Sequence, residues 1–198
     1  MDVNFKGKFH GPKFNEANSE IRKMLAWLFR GSANRQLVDR LHGEIVAAAR
    51  DPALFADYGI ADTFEGRFEA MTLHATLVLR QLKAMAPPAP DLAQDLADAV
   101  FLHFEATLRQ MGVGDPSVPK RMKTLAEAFL GRGAAYDEAL RAGGPALAAA
   151  LARNVYAGRA DAARLARFVE AARAALAGAS FEAFAEGPVP FPTPASIA

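Results

Sequence analysis

Apolar residues return every three or four positions along most of this chain, in blocks separated by glycine and proline. Ile21, Met24, Leu25, Leu28 and Phe29 form the first such block, around Trp27. Leu37, Leu41, Ile45 and Ala48 predict a helix over roughly 33–50, ended by Asp51-Pro52. A short helical turn with Leu54, Phe55 and Tyr58 follows, stopped by Gly59. Phe64, Phe68, Met71, Ala75, Val78 and Leu82 carry the next helix, from a capping box of Asp62 and Glu65 to about Met85. Leu73, Leu77 and Leu79 widen its apolar face, which marks it as central and buried on more than one side.

Pro87-Pro88-Ala89-Pro90 reads as a loop, with Asp91 as the cap of a helix to about Met111 along Leu92, Leu96, Val100, Phe104 and Leu108. Met122, Leu125, Phe129 and Tyr136 predict a helix over roughly 118–140. Beyond Gly143-Gly144-Pro145 come an Ala-rich helix ending near Tyr156, a helix from Asp161 through Leu176, and a last turn with Phe181 and Phe184. No segment alternates with strand period. The fold class is therefore all-α, a single-domain bundle of about six main helices plus short helical turns. Residues 1–18 are expected as a flexible N-terminal extension, 19–185 as the helical domain and 186–198 as a Pro-rich, extended tail, with Met24 an alternative start.

Composition narrows the function classes. The 198 residues fit one domain, and 52% apolar residues can fill its core. A net charge of +1 gives no global field for nucleic acid, so no DNA partner is expected. The absence of cysteine excludes disulfides, thiolate zinc sites and a cysteine nucleophile. No apolar run reaches the roughly 18–20 residues of a membrane span. Asp2, Glu16 and Glu20 make the start a poor signal peptide, so the expected location is the cytoplasm.

Catalytic and metal signatures are weak. His10, His42, His74 and His103 form no His-x-x-x-His pair, and no Glu-x-x-His pair accompanies them. His42, His74 and His103 fall on three separate predicted helices and converge only if folding brings them together; otherwise each makes a local hydrogen bond in or near the core. Gly112-Val113-Gly114 lacks the strand of a nucleotide loop and fits a helix C-terminus better. No serine has a Gly-x-Ser-x-Gly setting. The expectation is a protein without catalytic residues, metal or cofactor.

Three features look like interaction surface instead. Lys120, Arg121 and Lys123 stand at a helix start, where the dipole disfavours cations. Either an acidic partner such as lipid phosphate meets them, or Asp115 and Glu127 pair with them locally. The block with Trp27, Phe29 and Arg30 suits a helix in the membrane interface, or one docked on the bundle by Leu25 and Leu28. Arg67, His74 and Arg80 lie on the central helix, Arg67 and His74 two turns apart on one face. They are candidates for receiving a partner helix, or for pairing within the chain.

Several blocks in order now resemble a known family. Asp62-Thr63-Phe64-Glu65-Gly66-Arg67-Phe68-Glu69, through Leu73-His74 to Leu79-Arg80, is one. Leu108-Arg109-Gln110-Met111-Gly112-Val113-Gly114-Asp115, through Val118-Pro119-Lys120-Arg121-Met122-Lys123 to Ala135-Tyr136, is another, and Asn154-Val155-Tyr156 a third. Over roughly 35–176 the chain resembles the bacterial branch of the ubiquinol–cytochrome c chaperone family. One segment departs: Phe101-Leu102-His103-Phe104-Glu105 lacks the aspartate expected before the Leu-Arg pair. The resemblance implies an all-helical chaperone for assembly of the cytochrome bc1 complex. Its client would be newly made cytochrome b, with the ribosome or an anionic membrane surface as a further contact at the inner face of the cytoplasmic membrane. Arg67, His74, Arg80, Lys120, Arg121 and Lys123 are then the candidate partner-binding residues, and Trp27, Phe29 and Arg30 the membrane contact. A peripheral membrane or lipid-binding helical protein is the alternative.

Overall fold

The computed structural model describes residues 34–197. Two units divide the chain, Met1–Gln36 and Leu37–Ala198, and only 34–36 of the first are described. The predicted helix around Trp27, with Phe29 and Arg30, lies outside the described residues.

Among the described residues the regular elements are all helices, with no strand. The order is α1 (34–49), α2 (Pro52–Ala56), α3 (Phe64–Ala84), α4 (Ala89–Gln110), α5 (Val118–Ala142), α6 (Gly144–Val155), α7 (Ala163–Ala177) and α8 (Phe181–Glu186). Short 3-10 turns at Asp115–Ser117 and Pro194–Ser196 complete it. The all-α expectation holds.

Two helix starts differ from the sequence reading. Thr63, not Asp62, caps α3, its hydroxyl accepting from the Gly66 N–H at 3.2 Å. That leaves the Asp62 carboxylate free to pair with Arg67 at 2.6 Å. At α4 the helix begins at Ala89, two residues before Asp91. Pro90 falls in its first turn, where a missing N–H costs nothing and a fixed φ helps, and Asp91 adds favourable negative charge there.

Helix α3 is the centre of the bundle, packed against α4, α5, α6 and α7. Phe68, Met71, Leu73, Leu77, Val78, Leu79 and Leu82 are all buried, so apolar side chains run around most of its circumference. Its first turn also touches the preceding loop: a Cβ at Gly66 would sit inside the Ala61 carbonyl, so glycine is needed there for close approach.

From Gly187 the chain is non-helical as far as the Pro194–Ser196 turn, and it lies against the bundle. Val189 N–H donates to the Glu44 carboxylate at 2.5 Å, and Arg40 donates to the Phe184 and Gly187 carbonyls. The Tyr58 hydroxyl donates to the Pro194 carbonyl at 2.8 Å, while the Arg164 guanidinium stacks 4.4 Å from the Tyr58 ring centroid. Val189 and Pro194 are buried, so this tail belongs to the core.

Candidate functional site

Where α1, α3 and α4 meet, a cleft of ≈ 90 Å³ opens to the surface. Its walls follow from helical spacing. Val46 and Ala49 come from α1, Phe64, Phe68 and Met71 from α3, and Phe104 from α4. Phe68 and Phe104 are in ring contact at 5.1 Å and form its floor. The polar lining is Arg50, Arg67, His103 and Thr107.

These polar groups are unequal. Arg67 is held by Asp62, and each partner is about three-fifths exposed. Their pairing lowers the Asp62 carboxyl pKa through the hydrogen bond from Arg67. Thr107 spends its hydroxyl proton on the His103 carbonyl at 2.8 Å. Burial lowers the His103 pKa, and the positive charge of His42 and Arg50 adds to it, so the ring is neutral at pH 7. Arg50 is exposed and makes no ion pair among the described residues. No carboxylate, serine or cysteine lines the cleft. An apolar floor with guanidinium at the rim can seat an apolar side chain or helix face that carries an acidic group.

The predicted surface trio on α3 does not form one patch. Arg67 lines the cleft, as above. Arg80 pairs with Asp137 of α5 at 2.6 Å, and Asp137 also reaches Arg141 at 3.4 Å. His74 is 1% exposed and has no surface to offer. Its ring packs against Phe168 and Phe191, so the α7 side and the C-terminal tail close over it. The placement of His74 on a binding surface is therefore corrected: it is a core histidine. The Nδ1–H donates to the Ala70 carbonyl at 2.7 Å, which leaves Nε2 bare and without a partner.

The basic start of α5 keeps its exposure. Lys120, Arg121 and Lys123 all face solvent, and the helix has no acid in its first turn and no side-chain cap. Of the two local partners the sequence offered, Glu127 lies 3.8 Å from Lys123. Asp115 instead pairs with Arg109, which also holds Glu105 at 2.9 Å. Lys120 and Arg121 are thus left without ion pairs among the described residues.

Arg50 and His103 were not singled out as binding residues from the sequence. Arg50 carries no signal beyond its place at the end of the α1 stripe. His103 sits in the segment that departs from the family pattern, and only folding shows that this segment walls the cleft. Phe101 of the same segment turns to Phe129 of α5 at 5.2 Å.

Comparisons with known proteins bear on this arrangement. The sequence profile of the family described as Ubiquinol-cytochrome C chaperone matches residues 56–191. That span includes the α3 and α4 walls of the cleft and the α5 cations. Among solved structures, the chain is similar to the Cbp3 homolog from Brucella abortus, with a TM-score of 0.79 and 39% identity. The match covers 88% of this chain and 99% of that one. No curated protein matches.

Proposed function

Because this chain belongs to the ubiquinol–cytochrome c chaperone family, we propose that it binds newly made cytochrome b during assembly of the cytochrome bc1 complex. The observation that carries this reading is the cleft between α1, α3 and α4: an apolar floor of Phe64, Phe68, Met71 and Phe104 under a rim of Arg50 and Arg67. A membrane-protein client offers apolar helical segments before it is assembled, and such a floor removes their side chains from water. Phe64 is the partly exposed aromatic of this lining, and the buried Phe68 and Phe104 pack beneath it as a rigid support.

Lys120, Arg121 and Lys123 form the second surface, for anionic lipid headgroups at the inner face of the cytoplasmic membrane or for the ribosome. No helix among the described residues is long and apolar enough to cross a membrane, which is consistent with peripheral attachment. The chaperone needs no cofactor of its own.

An affinity pull-down from the source cell in mild detergent, read by mass spectrometry, tests the client. Enrichment of cytochrome b over other membrane proteins is the expected result. Equal recovery of many membrane proteins, or of none, would remove the chaperone reading. A lipid-binding role then takes its place, favoured by exposed Lys120 and Arg121, which make no ion pair among the described residues. It requires vesicle binding that disappears when residues 1–30 are deleted, with no client interaction.

A further inference from the structure

Helix α1 is engaged on two sides. Val46, Ala49 and Arg50 turn toward α3 and α4 and line the cleft. A helix turns by about 100° per residue, so Arg40 and Glu44 project from nearly the opposite side. Neither of them lines the cleft. They meet the end of α8 and the tail that follows it instead. The Phe184 carbonyl would look for the N–H of residue 188, which is a proline and has none. Arg40 supplies the missing donor, and it also donates to the Gly187 carbonyl at 2.6 Å. Glu44 accepts from the Val189 N–H at 2.5 Å and from Arg40 at 2.6 Å. Together the two side chains present a donor and an acceptor that match the tail backbone.

Farther along, the same tail is fastened to other elements. The Phe191 ring lies 5.1 Å from the His74 ring of α3. The Tyr58 hydroxyl donates to the Pro194 carbonyl at 2.8 Å, and Arg164 of α7 donates to the Ile197 carbonyl at 3.4 Å. The outer side of α1 is therefore tied to α3 and α7 through a non-helical segment. Pro188, Pro190, Pro192 and Pro194 restrict φ along it, so docking it loses little conformational entropy.

We propose that Arg40 and Glu44 are positioning residues for the cleft: by gripping the tail backbone they fix the α1 wall of Val46, Ala49 and Arg50 on which client binding depends. The binding they serve is the one proposed above, whereas the wall itself can be followed with no client present.

Amide hydrogen exchange of the full chain, read beside cytochrome b recovery in the pull-down, tests this with Glu44→Ala and Glu44→Gln. Glu44→Ala removes the acceptor for Val189. It should speed exchange of residues 45–50 by about tenfold, the scale of one hydrogen bond to a charged group, and leave α5 unchanged. Client recovery should fall with it. Glu44→Gln keeps a carbonyl oxygen for the same N–H and should restore both. Should Glu44→Ala fail to fold, Arg40→Met decides, because it keeps most of the apolar stem and removes the donors; the same local loss is expected. Exchange at 45–50 that does not respond overturns the proposal, as does faster exchange with client recovery intact. An equal rise across α5, or no restoration by glutamine, makes the pair a general stabiliser and overturns it too. If the natural chain recovers no cytochrome b, the client reading falls, and the exchange result still decides whether this grip sets the wall.

Discussion

The Arg132 guanidinium of α5 closes on the Glu69 carboxylate of α3, with Nε 2.6 Å from one oxygen and 2.7 Å from the other. Glu69 is 5% exposed, and the Arg132 side chain also lies 5.6 Å from the Phe68 ring centroid. Burial raises the Glu69 pKa, while the hydrogen bond and charge of Arg132 pull it back. The pair therefore joins α3 to α5 directly behind Phe68, part of the cleft floor.

Removing one member should cost more than the pair is worth, because the other charge stays buried. Arg132→Ala should lose about 2–3 kcal/mol, below the roughly 3–5 kcal/mol of fully buried pairs, since the Arg132 side chain keeps 26% exposure. Urea denaturation measures this, and a double-mutant cycle with Glu69→Gln should show coupling between the two sites. Independent, additive losses would mean the ion pair is not a unit.

Gly66 and Gly43 should respond oppositely to alanine. At Gly66 a Cβ runs into the Ala61 backbone, which cannot move aside as a flexible side chain can. Gly66→Ala should cost about 1–3 kcal/mol, the scale of overpacking. At Gly43 nothing among the described residues lies within 4 Å, so Gly43→Ala in α1 should stabilise by about 0.5–1 kcal/mol through helix propensity. Paired thermal melts check both signs.

Acid should weaken the fold through His74. Its pKa drops from 6.5 to about 4 because burial dominates over the Ala70 hydrogen bond and the negative charge of Asp51. Its folded-state pKa lies below the unfolded one, so between these values the unfolded chain binds the extra proton. The contribution of His74 is complete above pH 6.5 and disappears as pH falls from 6.5 to about 4, a change of about 3 kcal/mol. His42 and His103, also lowered, act in the same direction. Glu69 opposes them, since its raised pKa lets the folded state hold a proton that the unfolded chain releases, adding stability as pH falls toward 4.5. Urea midpoints at pH 7.5 and pH 5 should fall for the natural chain and fall less for His74→Leu. Equal slopes for the two proteins would remove His74 as the cause.

Charge reversal should separate binding from folding. Arg50→Glu with Arg67→Glu should reduce cytochrome b recovery in the pull-down while stability changes by about 0.5 kcal/mol or less per site, since both side chains are exposed. Lys120→Glu with Arg121→Glu should leave client recovery from detergent intact and weaken binding to anionic vesicles, most visibly at low salt. Melting temperature and helicity are the controls. A collapse of either would make those residues structural.

How much of this was readable beforehand differs by residue. The α3 stripe was readable because one buried face needs only a repeat of three or four residues, and the Leu73, Leu77 and Leu79 additions correctly announced burial on several sides. The basic start of α5 was readable too, since helix polarity is local. Its pairing was half readable: Lys123 and Glu127 are neighbours on one helix, whereas the choice of Asp115 by Arg109 depends on how the α4–α5 turn folds.

Periodicity and caps in the chain were enough to determine an all-helical bundle with a central α3, because these are contacts between near neighbours. Tertiary packing decided the rest. Arg67 and His74 share a helical face, yet one lines an open cleft and the other is sealed by Phe168 and Phe191. Arg80 finds Asp137, 57 positions away, and His42 finds His103. Spacing along a helix says which side a residue is on, but which helix covers that side depends on how all the helices fill space together.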